Sequence, residues 1–68
     1  MKLINKSSST VTTNTFEIDP EDGSKKITYI EYLNDKGRVI DENLRDSAGS
    51  EIDDPALLEV VQEFVDSN

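Results

Sequence analysis

Carboxylates dominate the chemically capable side chains of this chain. In the closing stretch DDPALLEVVQEFVDSN, Glu59, Glu63 and Asp66 recur at i, i+4 and i+7 with no Lys or Arg among them. At helical spacing they form one acidic stripe. Asp53 and Asp54 precede the stripe, and Glu51, Asp46, Glu42 and Asp41 extend the charge upstream. Paired carboxylates can do general acid–base work where a cleft separates their pKa values, and a 68-residue chain has little room for such a cleft. Nucleophilic catalysis by Ser usually calls for a base such as His, and the sequence has neither His nor Cys. Lys6 next to Ser7–Ser9 is mere adjacency in a polar segment. No catalytic role is therefore expected.

Cation binding is the next chemistry that acids suggest. With Gly37 at the invariant glycine position of an EF-hand loop, Tyr32, Lys36 and Asn43 fall where oxygen ligands belong; with Gly23 there, the loop starts on Ile18. The motif is absent in both frames. A loose hard-cation site among Asp46, Glu51, Asp53 and Asp54 competes with a plainer assignment, a solvated acidic loop followed by a helix cap. The lack of Cys excludes disulfides and thiolate zinc. No glycine-rich phosphate loop and no basic patch with interleaved aromatics occurs. No cofactor and no metal is expected.

The formal charge is −8 and unevenly spread. Residues 1–40 balance six acids against Lys2, Lys6, Lys25, Lys26, Lys36 and Arg38, whereas residues 41–68 set nine acids against Arg45 alone. Nucleic acid and anionic membrane both require a basic footprint, so neither is an expected partner. A net charge of this size is ordinary for a soluble domain and by itself needs only solubility to explain it. Its confinement to one part of the chain is what points to recognition. The expected function is a non-enzymatic acidic binding protein that occludes a basic surface of a partner protein, its carboxylates standing where nucleic-acid phosphates would. Asp53, Asp54, Glu59, Glu63 and Asp66 are the expected contacts.

The elements that must carry these groups are few, and the length implies one domain over residues 1–68. Residues 1–9 read either as a flexible leader or as a short extra strand using Leu3 and Ile4. A first full strand is expected over 10–18, where β-branched residues lead into Phe16 and Ile18 at period 2. The cluster DPEDGS is a turn, and KKITYIEYL over 25–33 is the strongest strand, apolar on both faces. NDKG makes a three-residue hairpin loop that pairs Asn34 with Arg38. Strand 38–44 then follows, with Tyr32 opposite Ile40 and Thr28 opposite Leu44. After a loop around Gly49, Asp54 and Pro55 open a helix whose inner face is Leu57, Leu58, Val61, Phe64 and Val65, widened by Val60. The fold class expected is α+β, a three-stranded antiparallel meander, with or without the short N-terminal strand, and one C-terminal helix across one face.

In this register Phe16, Ile18, Ile30, Tyr32, Ile40 and Leu44 face the helix, leaving Ile27, Tyr29, Leu33 and Val39 as an apolar outer face. Such a face supports an alternative function, a small structural or assembly subunit that homo-oligomerises, with Tyr29 as its anchor. The opening MKLINKSSST lacks the apolar run of a signal peptide, and a cytoplasmic location is expected.

Overall fold

The computed structural model describes residues 1–8, 12–21, 23 and 25–67. Four antiparallel strands, β1 (Lys2–Ser8), β2 (Thr13–Asp19), β3 (Ile27–Leu33) and β4 (Val39–Arg45), lie side by side in sequence order, and α1 (Pro55–Asp66) covers one face. The architecture is α+β, with one strand more than the three-stranded core expected. The N-terminal segment is a full seven-residue strand rather than a loose leader. The expected start of the second strand at residue 10, and Val11 with it, lies outside the described residues. No helix among the described residues is long and apolar enough to cross a membrane.

Two loops of one design shape the second half of the sheet. In the first, the Asn34 side-chain oxygen accepts the N–H groups of Lys36 and Arg38 at 2.9 and 3.0 Å, and the Asn34 N–H donates to the Arg38 carbonyl. Gly37 donates back to the Asn34 carbonyl from a φ of 78°, a conformation that favours glycine. Twelve residues later Asp46 repeats every bond: its carboxylate accepts from Ala48 and Ser50, its own N–H donates to the Ser50 carbonyl, and Gly49 at φ 87° donates to its carbonyl. What the sequence suggests is a plain loop around Gly49 is therefore a second tight reversal. It returns the chain alongside β4, where Arg45 bridges to Glu51 and Ile52 donates to the Leu44 carbonyl. That return covers part of an edge that would otherwise stand open to other chains.

Phe16, Ile18 and Leu44 face the helix as expected, but β3 presents the opposite face, with Ile27 and Tyr29 in place of Ile30 and Tyr32. Phe16 pairs with Tyr29 and Ile18 with Ile27, so these four share a face, and with Leu44 and Val61 they form the buried core. The 33↔39 pairing beside the NDKG loop holds as expected, but the register then slips by one. Tyr32 lies opposite Asp41, and Tyr29, instead of Thr28, lies opposite Leu44. The extra residue is Ile40, which is 65% exposed, a β-bulge on an edge strand. The other edge, β1, bulges at Ile4 in the same way. Because side chains alternate with period 2, a single slipped residue moves the whole set to the other face. Ile27 and Tyr29 are thus core, while Ile30 and Tyr32 lie among Thr13, Thr15, Thr28 and Asn43 on the face away from the helix. Of the apolar outer face that would have supported homo-oligomerisation, Ile27 and Tyr29 lie in the core beneath α1, and Val39 is exposed.

Candidate functional site

α1 begins where the sequence places it. Asp54 is the N-cap, its carboxylate accepting the Leu57 N–H at 3.2 Å, and Pro55 occupies the first turn without a missing bond. Val61 is fully buried against the sheet, and Leu57, Leu58, Phe64 and Val65 pack around the same core. Val60, expected to widen the buried stripe, is instead 52% exposed. Glu59, Glu63 and Asp66 are exposed, Asp66 at the edge of the helix that turns toward the sheet, in a segment that packing rather than charge holds helical.

The helix start carries a second group of acids. Glu42 from β4, Glu51 from the returning loop, and Asp53 and Asp54 from the helix approach line a depression of about 160 Å³ closed by Leu44, Pro55 and Leu58. Asn43 beside them donates to Glu51 at 3.3 Å. Of the residues considered for a cation, Asp46 is engaged by two backbone N–H groups and Asp54 by the helix cap. No three His, Cys, Asp or Glu side chains among the described residues are arranged to hold a metal ion. Among those residues, too, no Lys or Arg nitrogen lies within 4.0 Å of the carboxylates of Asp53, Glu59, Glu63 or Asp66. The acidic surface is therefore not neutralised from within the described part of the chain, and its field extends into solvent over roughly a Debye length, about 8–10 Å at moderate salt.

Tyr29 is not where an anchor would be. Only 2% of it is exposed; its ring lies 5.7 Å from that of Phe16 at a 33° tilt, a cross-strand aromatic pair. Its hydroxyl donates to Glu31 at 3.5 Å. Burial pushes that hydroxyl up to about 12, the neighbouring Glu31 carboxylate adds to the rise, and Glu42 and Asp66 add further, while a hydrogen bond with Gln62 opposes them. Glu31 also accepts from the Asn14 amide at 3.4 Å. Glu31 and Asn14 belong to no site that the sequence suggests. Only the β2–β3 register, which brings Asn14 opposite Glu31 on the helix side, reveals them, and a correct register is the one sequence signal that would have found them.

The raised Tyr29 pKa has a consequence for stability. Between pH 10, where an unfolded tyrosine loses its proton, and about 12, the native state keeps a proton that the unfolded chain has lost. Stability from this group is full below pH 10 and falls as pH rises toward 12. After screening at the ring's edge the loss is on the order of 1–2 kcal/mol. Urea midpoints measured from pH 9 to 12.5 should fall more steeply for the parent than for Tyr29→Phe; parallel curves would disprove the linkage.

Comparison with family models, with curated proteins and with solved structures finds no match to this chain.

Proposed function

We propose that this chain is a non-enzymatic, cytoplasmic binding protein that occludes a basic surface of a partner protein, its carboxylates taking the place of nucleic-acid phosphates. One observation carries this: exposed acids on α1 and at its start, free of any cation of the chain within 4.0 Å among the described residues, on the same side of the sheet as Glu42 and Glu51. Solubility alone requires charge but not its concentration on one side. Carboxylates already desolvated by internal ion pairs would have less to offer a partner; these keep their full field for steering and complementarity.

The homo-oligomer alternative depends on Ile27, Tyr29, Leu33 and Val39 forming one outer face. With Ile27 and Tyr29 in the core, no observation favours it.

The test is a pull-down with the tagged chain at about 0.05 M and about 0.5 M salt. Screening shortens the Debye length from roughly 14 Å to about 4 Å over that range, so recovery of a basic partner should drop at least about tenfold. A partner recovered equally at both salts, or one without a basic surface, would rule the proposal out.

A further inference from the structure

Between the sheet and the last turn of α1 lies a cleft of about 200 Å³. Small-molecule sites usually span about 300–1,000 Å³, so this one matches a single side chain better than a metabolite. Its lining is mixed: Leu3 and Phe16 from the sheet and Phe64 and Val65 from the helix are apolar, and Lys6 and Asn14 from the sheet are polar. Two carboxylates also line it, Glu31 from β3 and Asp66 from α1.

We infer that this cleft receives one arginine side chain of the partner, its guanidinium bridging Glu31 and Asp66 and its aliphatic stem lying against Phe16 and Phe64. The assignment presupposes the basic partner proposed above and names the point where it is gripped. Four features favour a cation here. Neither carboxylate has a Lys or Arg nitrogen of this chain within 4.0 Å among the described residues. The hydrogen bonds that orient Glu31, from Asn14 at 3.4 Å and from Tyr29 at 3.5 Å, are long, which leaves acceptor capacity for a shorter, charge-assisted bond. The last turn of α1 has no basic residue, so the negative end of its dipole, capped by the Ser67 N–H and hydroxyl, has no charge of the helix itself to offset it. A lining that sets apolar groups beside two carboxylates suits a side chain with an apolar stem and a charged head. The planar five-donor fork of arginine can reach two separate carboxylates at once, which the point charge of lysine does less well.

Lys6 is the one base lining the cleft among the described residues. Its ammonium stands over the Phe16 ring, 5.4 Å from the centroid, rather than on either carboxylate. The side chain is exposed and can swing into solvent. An entering guanidinium must displace it, so Lys6 acts against the guest, and removing its charge should tighten binding.

The probe is N-acetyl-arginine amide, titrated into the isotope-labelled full chain at low salt and followed by amide chemical shifts, with the citrulline analogue as the uncharged control. Saturable shifts are expected at Leu3, Lys6 and Phe64–Asp66, with a Kd on the order of 1–10 mM for one partly exposed side chain, and no saturation with citrulline. Glu31→Gln and Asp66→Asn should each weaken binding about fivefold, and Lys6→Gln should strengthen it about twofold. Glu17→Gln, exposed on the face of the sheet away from the helix, should change it by less than about twofold. Absence of saturable shifts at these amides, equal response to citrulline, or indifference to both acid substitutions in variants with native-like spectra overturns the assignment. Failure of the probe while partner capture stays salt-sensitive refutes the cleft alone. Binding of the probe beside salt-insensitive capture supports the cleft and refutes the wider occlusion.

Discussion

Tyr29→Asp is expected to unfold the chain at 25 °C and neutral pH, whereas Tyr32→Asp leaves it folded. Tyr29 is 2% exposed and stacked beside Phe16, opposite Leu44. Truncating a buried aromatic typically costs about 3–5 kcal/mol, and a carboxylate put in its place has no cationic partner in the core and faces Glu31 on the same side of β3. A domain of this length has a total stability of only about 3–10 kcal/mol. The combined cost is therefore of the same size as the whole. Tyr32, half-buried on the far face opposite Asp41, loses some packing but gains solvent, a change on the order of 1 kcal/mol. Far-UV circular dichroism and amide dispersion on the two variants read out the sheet register directly. A folded Tyr29→Asp together with an unfolded Tyr32→Asp would mean that the faces are reversed.

That pair of substitutions isolates what the sequence could and could not say. The NDKG loop was legible because Asn34 and Gly37 have few other uses in that spacing, and the 34–38 pairing follows from it. The helix was legible from DDP at its start and from five apolar residues at helical period. Face assignment failed for two local reasons. Ile40 is an extra residue in β4, and nothing in RVIDENL marks a bulge, since no glycine is needed there. The β2–β3 connection runs from residue 20 to residue 26, too long to fix a register as a two- or three-residue hairpin does. With Ile27, Tyr29, Ile30 and Tyr32 all apolar, β3 offers two nearly equivalent faces. The choice belongs to Phe16 and Ile18, whose partners only the paired sheet reveals.

The acidic surface was more legible than the sheet beneath it, because exposure of a carboxylate needs no register to predict. Glu59, Glu63, Asp66, Asp53 and Asp54 are all exposed, although Asp54 also caps the helix. Glu42 and Glu51 are brought to the helix start by the second tight turn. That turn could have been read from the parallel between Asn34-x-x-Gly37 and Asp46-x-x-Gly49. Glu31 and Asn14 were out of reach for the same reason as the core, since both lie on the face that the register decides.

Reversing two charges on α1, Glu59→Lys with Glu63→Lys, should abolish partner capture while leaving the fold in place. Both side chains are exposed and neither contributes to the core. The helix itself should hardly respond. A lysine near the helix start opposes the dipole, but the second lysine, near the end, suits it, and each effect is only about 0.3–1 kcal/mol. The like-charge pair at i, i+4 is exchanged for another of equal cost. Melting temperature should therefore move by only a few degrees. Binding is affected differently, because each reversal removes an attraction and installs a repulsion against the same basic surface, and like charges brought together at an interface cost several kcal/mol. At about 0.05 M salt the double variant should fall to background in a pull-down that retains the parent, and adding salt should narrow the gap as both fields are screened. Replacing the same residues by Gln removes the attraction without the repulsion and should give an intermediate recovery, so the three proteins form a graded series in charge. If the double variant keeps the parent's recovery, α1 does not meet the partner, and the excess acids of residues 41–68 serve solubility alone.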